Sequence, residues 1–283
     1  MDADAVAVTG AAGFVGSAVV DALAGDCRVL GVDQRRPDDH GADQFVVADL
    51  LDAGAVWGAL APHDPDAVVH LGTIPSPGGH PDHAVFASNA LSTYHVLDAA
   101  AGLGVETVAL ASSVNAMGAA TQDPPPDVHY LPVDEAHPLA PHDAYGLGKQ
   151  AAEVTADAFG RRSGPPRAVS SLRFPAVLSA SDLADADPEG PGDGPRDDLF
   201  AYVARSDAAA AVRAAVEAGH DGHERFWVVA DDALAGAPTP ALIDRHWRDV
   251  PVRAAPGEDD ALIDNAKAGA LLDWSPAVSW RDR

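Results

Sequence analysis

The stretch Thr9-Gly10-Ala11-Ala12-Gly13-Phe14-Val15-Gly16 decides how the rest of the chain is read. It follows a short apolar run, residues 5–8, and precedes a helical pattern over residues 17–24. Gly10, Gly13 and Gly16 recur at every third position. A strand that turns tightly into a helix needs glycine at the turn. A second glycine lets backbone approach a pyrophosphate, and a third lets the helix pack on the strand. The helix N-terminus then offers unpaired N–H groups to the anion. Ala12, Phe14 and Val15 fill the rest of this loop and first turn, so they are counted with the three glycines as dinucleotide contacts. The plainer alternative is a Gly-rich β–α turn that binds nothing. Residues 29–32 argue against it, because they form a second apolar strand with Asp33 at its C-terminal end. A carboxylate there can accept both hydroxyls of an adenosine ribose.

Working outward, residues 34–44 form a polar loop that contains Arg35 and Arg36. These could receive a 2′-phosphate, which leaves NADP open, but Asp33 would repel that phosphate and NAD leads. A third short strand, residues 45–48, ends at Asp49-Leu50. Asp49 either reaches the adenine amino group or serves the start of the helix over residues 52–60. A fourth strand, residues 67–72, closes on Leu71-Gly72-Thr73 and passes beside the cofactor's phosphates and ribose. The Pro-, Gly- and His-rich loop 74–83 lies at the ligand edge of such a sheet, with Ser76 a candidate substrate contact. A long helix over residues 84–103 carries Asn89. A fifth strand, residues 107–110, runs into Ser112-Ser113-Val114-Asn115 at that same edge, and Asn115 joins Ser113 as a candidate substrate contact.

Residues 119–143 are irregular and include the run Pro124-Pro125-Pro126; a structureless stretch of this length inside a domain is usually functional. It leads into Tyr145-Gly146-Leu147-Gly148-Lys149 at the head of a helix reaching Phe159. Arg173 closes the next strand. Residues 179–198 read as an Asp-, Gly- and Pro-rich surface loop, residues 199–203 as a short strand, residues 207–218 as an Ala-rich helix and residues 225–229 as a late strand of the main sheet. Residues 261–272 read as a helix before a Trp-bearing tail. The fold class expected is α/β: a Rossmann doubly wound parallel sheet over residues 1–175, with a small C-terminal substrate lobe, residues 176–283, interleaved with late core elements.

Charge narrows the partners. There are 43 acids against 18 bases, a formal net charge of −25, spread over the whole chain. Such a field repels nucleic acid and anionic membranes, so neither is expected as a partner. It fits a surface adapted to high salt, where screening shortens self-repulsion to about 3 Å at 1 M; a haloarchaeal source is expected. No apolar run reaches membrane-spanning length and the N-terminus does not read as a signal peptide. With Cys27 the one cysteine, a reducing cytoplasm is expected. His129, His137, His142, His220, His223 and His246 show no metal-ligand spacing; His142 is close enough to Tyr145 to line the site and the others read as surface residues.

Ser113, Tyr145 and Lys149 make a chemical set. A tyrosine is a poor base at neutral pH, with a free pKa of about 10. A nearby ammonium lowers that value. Lys149, four residues after Tyr145, lies on the same helix face and can also hold ribose hydroxyls. Lysine has nearly vanished from the chain, surviving only here and at Lys267. Arginine, wide and always charged, is a poor substitute for a compact ammonium. A serine hydroxyl opposite can orient a substrate oxygen while tyrosine takes the proton and the hydride leaves to nicotinamide.

With these residues in view, the chain resembles the extended short-chain dehydrogenases/reductases, the group of NAD-dependent epimerases and dehydratases. The resemblance rests on residues 9–16, Asp33, Asp49-Leu50, His70-Leu71-Gly72, Asn89, residues 111–118, Tyr145 to Lys149, Arg173-Phe174 and residues 265–276. It implies bound NAD(P), with Tyr145 and Lys149 among its contacts. It also implies catalytic roles for Ser113, Tyr145 and Lys149, a helping role for Asn89 in the catalytic geometry, and a reach into the substrate pocket for Arg173. It further implies a homodimer that uses the Tyr145 helix, for which Ala151, Ala152, Thr155 and Ala156 suit close packing. The segment after Arg173 is short and acidic before a Gly-Asp-Gly…Arg element at residues 192–196. That suits a diphosphate poorly and is more similar to compact sugar dehydrogenases. The first expectation is therefore oxidation of an aldose, uronate or sugar phosphate to a lactone. An NDP-sugar epimerase or dehydratase comes second, and a non-catalytic dinucleotide sensor third.

Overall fold

The computed structural model describes residues 3–76, 78–119, 126–186 and 196–282. β1 (Ala5–Thr9) is buried throughout, as a central parallel strand must be. It turns at Gly10 (φ +72°) into α1 (Phe14–Leu23). β2 (Arg28–Asp33), β3 (Gln44–Val47), β4 (Ala67–His70), β5 (Thr107–Ser113) and β6 (Ala168–Phe174) follow. They alternate with α2 (Ala53–Leu60), α3 (Asp82–Leu103) and α4 (Ala144–Gly160). After β7 (Ala176–Leu178), α5 (Ala180–Asp185), β8 (Tyr202–Ala204) and α6 (Arg205–Glu217), β9 (Gly222–Trp227) returns to the sheet. The strand order is β3-β2-β1-β4-β5-β6-β9, and every pairing is parallel. The order reverses between β1 and β4, so the C-terminal ends of β1, β4 and β5 open on one crevice, the place where doubly wound sheets bind ligands.

One face of the sheet packs under α1, α6 and α8 (Ala266–Leu272), with Val19, Leu23, Val212, Val216 and Leu272 in its core. Small residues let α6 lie close: Ala208, Ala211 and Ala215 are fully buried. The other face packs under α2, α3 and α4 through Leu60, Val96, Leu97, Ala156 and Phe159. A third cluster lies beyond the sheet's C-terminal edge, around Leu131, Val133, Leu199, Phe200, Trp227 and Leu262. It joins chain from before α4 to chain on either side of β8.

Several expectations are corrected. The 179–198 loop contains α5, fixed by a capping box in which Ser179 and Asp182 bond each other's backbone. The Gly-Asp-Gly stretch at residues 192–195 and Pro124-Pro125 lie outside the described residues. Residues 199–203 are not one strand: Leu199 and Phe200 turn with φ of +55° and +57°, and β8 starts at Tyr202. β8 pairs with β7 in a separate two-stranded sheet. The 261–272 helix is only α8, because Asp260 and Ile263 are drawn into bridges with Asp232 and Val133. α7 (Thr239–His246), with Pro240 in its first turn, was not expected. β5 runs on to Ser113, three residues past the expected strand. In α4, Ala152 and Ala156 of the small-residue face are buried inside their own subunit, while Ala151 and Thr155 stay half-buried.

Candidate active site

Gly10, Gly13 and Gly16 are held by contacts that a side chain would break. A Cβ on Gly16 would lie 2.0 Å from the Gly10 carbonyl oxygen, and one on Gly10 would lie 2.6 Å from the Gly72 nitrogen. Gly13 is the N-cap of α1 and has no side chain to occupy the cap. The first turn of the helix is therefore bare backbone facing the crevice, a cradle for an anion. At the end of β2, Asp33 accepts from the Ala12 N–H (3.1 Å), which ties the ribose-side carboxylate to the loop. At the end of β3, Asp49 accepts from Leu51 N–H (3.0 Å) and Gln34 Nε2 (3.3 Å) and is exposed, while Leu50 is buried with its side chain against Gly72.

A cleft of about 500 Å³ continues from this cradle. Gly10, Gly13, Phe14, Val15, Gly16 and Leu71 line it together with Ser113, Asn115, Tyr145 and Lys149 and with Phe174, Pro175, Ala176, Val177 and Asp198. The Gly-rich turn and the Ser–Tyr–Lys set thus share one cavity. α4 delivers Tyr145 and Lys149 because Asp143 caps it, accepting from Tyr145 N–H (2.8 Å) and Gly146 N–H (3.0 Å). β5 delivers Ser113, whose Oγ accepts from Asn115 N–H (3.1 Å). That bond leaves the hydroxyl proton to donate, and it hydrogen-bonds the Tyr145 phenol.

The electrostatics differ from the sequence expectation. Burial pushes the Tyr145 phenol up to about 12, and the group opposing this is the Ser113 hydroxyl rather than Lys149. Burial pushes the Lys149 ammonium down to about 7, while Glu153 supports its charge. Lys149 Nζ donates to the Ala111 carbonyl (2.9 Å) and Thr73 Oγ1 (3.1 Å) and lies 5.5 Å from the centre of the Tyr145 ring. Thr73 thus enters the site as a positioning group; its place just past β4 was the available signal.

Not every candidate reaches the cleft. Arg173 is 1% exposed and forms a two-pronged pair with Glu153 (Nε–Oε1 2.8 Å, Nη2–Oε2 2.7 Å). Its expected reach into the substrate pocket is corrected: a buried guanidinium needs a buried anion, and Glu153 on α4 takes both prongs. Ser112 and Arg225 complete the shell of Glu153. Asn89 is fully buried behind α4, with Nδ2 donating to the Ile74 and Val85 carbonyls (3.1 and 2.9 Å). Ser76 is exposed, and its neighbour Pro75 lines the cleft instead. His142 is exposed and does not line it. His137 and His223 are not surface residues. His137 is buried, and His223 is wedged between Ser171 Oγ and Asp157, each at 2.8 Å. Asp198 was missed: it is one acid among many in an acidic stretch, and only the fold brings it to Tyr145.

A parallel sheet with a bare Gly-rich turn at its switch point, beside a serine, tyrosine and lysine, defines a short-chain dehydrogenase/reductase of the extended type. The chain belongs to the NAD dependent epimerase/dehydratase family, whose model matches residues 6–237. It is 28% identical to the UDP-glucose 4-epimerase of Mycolicibacterium smegmatis over 96% of this chain and 93% of that one. It is 36% identical to the NAD-dependent glucose-6-phosphate dehydrogenase of Haloferax volcanii over 53% of this chain and 60% of that one. Among solved structures, it is similar to a short-chain dehydrogenase/reductase superfamily protein from Agrobacterium tumefaciens with bound NAD. That likeness has a TM-score of 0.73 and 25% identity, over 98% of this chain and 94% of the other.

Proposed function

We propose that this protein is an NAD-dependent sugar dehydrogenase that oxidises the carbinol of a free sugar to a lactone. The observation that carries the reading is the shared cleft: Tyr145, Ser113 and Lys149 line one cavity with the bare α1 turn and with Phe174, Pro175 and Val177. The residues fit a dinucleotide, since the glycine contacts leave no room for side chains and Asp33 closes the ribose end. Gly10, Gly13 and the first turn of α1 would hold the pyrophosphate, Asp33 the adenosine ribose and Lys149 the second ribose. Bound there, the nicotinamide supplies the acceptor for the hydride leaving the sugar carbon.

The protein's own residues handle the proton. The Ser113 hydroxyl orients the sugar oxygen. Tyr145, as phenolate, takes the carbinol proton as the hydride departs. Lys149 in its ammonium form stabilises the phenolate, and the attraction between two buried groups is stronger than it would be in water. In the free protein burial disfavours the charged form of both groups, raising the Tyr145 phenol to about 12 and lowering the Lys149 ammonium to about 7.

An epimerase reading is the second. Its support is the similarity to the M. smegmatis epimerase over nearly the whole chain. Against it stands the 176–198 stretch, which is short for a diphosphate-binding lobe and acidic. A homodimer, a high-salt cytoplasm and NAD rather than NADP belong to the same proposal. The test is NADH formation in high salt with NAD and a panel of free aldoses, uronates and sugar phosphates, repeated with Tyr145→Phe. NADH that rises with one sugar and disappears in the variant is expected. Silence with every free sugar, together with interconversion of a UDP- or dTDP-sugar, would move the protein to the epimerase reading.

A further inference from the structure

The cleft contains an acid that the mechanism does not use. Asp198 closes a short 3-10 turn, Arg196–Asp198, and lines the cavity with Tyr145 and Phe174. Its Oδ2 accepts from the Ala176 N–H at 3.0 Å, which pins it to the start of β7. On its other side, Leu199 and Phe200 both adopt left-handed backbone, a conformation that residues with such side chains rarely hold. Both of their side chains are fully buried in the cluster beyond the sheet. The chain therefore sends Leu199 and Phe200 one way and leaves Asp198 facing the cleft. The carboxylate also lies near enough to Tyr145 to raise its phenol.

From this geometry we infer that Asp198 is the sugar-binding residue that sets specificity, and that it selects an uncharged polyol, a neutral aldose, against uronates, sugar phosphates and nucleotide-linked sugars. The inference rests on the dehydrogenase reading and narrows it. A carboxylate only accepts hydrogen bonds when ionised, and two oxygens can take up to about four. One site is used by Ala176, so the rest suit a pair of sugar hydroxyls, which can donate. A carboxylate or phosphate on the substrate offers acceptors and like charge instead, and an acceptor facing an acceptor repels. Among the described residues lining the cleft, Lys149 is the one cationic group, and its Nζ is directed at Ala111 and Thr73. Arg173, the other cation expected here, is paired with Glu153 outside the cavity.

Burial pushes the Asp198 carboxyl up to about 6, with the Ala176 N–H opposing and Asp197 adding to the rise. It is still mostly ionised at neutral pH and able to accept.

The test uses the full-length protein in high salt. First, neutral aldoses, the matching uronates and the matching sugar phosphates are compared for kcat/KM with NAD. Neutral aldoses are expected to exceed both charged sets by at least about tenfold. Second, Asp198→Asn is measured with the best aldose. An amide can still accept from Ala176, so the fold is retained, but it presents a donor to the sugar hydroxyls. KM is expected to rise at least about tenfold. Third, calorimetric binding of the aldose to Tyr145→Phe with NAD, which cannot turn over, is expected to weaken similarly when Asp198→Asn is added. A uronate or sugar phosphate that matches or beats the aldoses would overturn the inference and leave the dehydrogenase reading standing. An unchanged KM and unchanged calorimetric affinity in Asp198→Asn would do the same. If no free sugar yields NADH, the dehydrogenase reading itself fails and takes this inference with it.

Discussion

Lys149 and Glu153 stand one turn apart on α4, both buried, and they face different neighbours. Lys149 Nζ bonds the Ala111 carbonyl and Thr73, while Glu153 bonds Ser112, Arg173 and Arg225. The carboxylate is too engaged to pair directly with the ammonium, yet it is the group that supports the charge against burial. Burial alone would raise Glu153 as well; the Arg173 guanidinium and the Ser112 hydroxyl reverse that and hold it below the usual carboxylate range. Replacing Glu153 with Gln removes that support, so Lys149 loses its proton at lower pH. Because the reaction uses the ammonium, the alkaline limb of kcat/KM against pH moves toward acid, while Glu153→Asp retains more of the wild-type limb. A limb that stays put in Glu153→Gln would show that this carboxylate does not act on Lys149.

Arg173 gives a prediction that separates structure from recognition. Arg173→Met leaves Glu153 buried with only part of its compensation, a loss of about 3–5 kcal/mol. At roughly 2–4 °C per kcal/mol for a domain of this size, the melting temperature falls by about 10 °C. Sugar KM, measured well below that temperature, should change little. A large KM increase at unchanged stability would return Arg173 to the substrate pocket.

Gly16 lies at the closest approach in the loop. A methyl there would sit 2.0 Å from the Gly10 oxygen, against backbone that cannot swing aside. Gly16→Ala is expected to weaken NAD binding by at least about tenfold, measured by fluorescence titration, because the anion cradle must open to admit the methyl. Gly164→Ala, where a Cβ would meet nothing within 4 Å, is the matched control and should bind normally.

What the sequence disclosed and what it hid follow a physical divide. The Gly-rich turn, the strand ends and the Tyr–Lys pair are local: a turn, a periodicity or a four-residue spacing carries each. The partners of buried charges are not local. Arg173 could be read as a pocket cation because nothing near it in sequence says that Glu153, 20 residues earlier, would take its guanidinium. Asp198 is silent for the same reason, as its role depends on a backbone bond to Ala176, 22 residues earlier. Elements without strong periodicity went the same way, since α5 and α7 are six and eight residues long and announce themselves mainly through Ser179 and Pro240 at their starts.

The proposed homodimer has a different surface from the one the small residues suggested. Ala152 and Ala156 are buried, but Leu147 and Val154, seven apart on α4, are 48% and 59% exposed. Phe86, Leu91 and Tyr94 on the adjoining α3 are 37–46% exposed. Two packed helices thus present apolar side chains that their own subunit leaves uncovered, the kind of patch that a second copy covers. Leu147→Glu with Val154→Arg is expected to turn a dimer into a monomer by sedimentation, without loss of fold by circular dichroism. A monomeric wild type would end the dimer proposal.

Salt gives the last prediction. With a formal net charge of −25 on 283 residues, the folded chain holds its acids closer together than the unfolded one, so their mutual repulsion opposes folding. Screening shortens that repulsion from a range of about 10 Å at 0.1 M to about 3 Å at 1 M. The buried Arg173–Glu153 pair, 1% exposed on each side, is screened far less. Raising salt therefore removes the penalty at the surface and leaves the internal network intact. Between 0.1 M and 2 M KCl the melting temperature should rise by at least about 10 °C, the equivalent of a few kcal/mol at this chain length. KCl and sodium sulfate distinguish the cause: if screening is responsible, the rise is mostly complete by about 1 M KCl, whereas exclusion of a kosmotropic anion would give a rise in sulfate and little in chloride. A melting temperature flat in KCl would remove the high-salt reading, and the acid-rich surface would then need a different explanation.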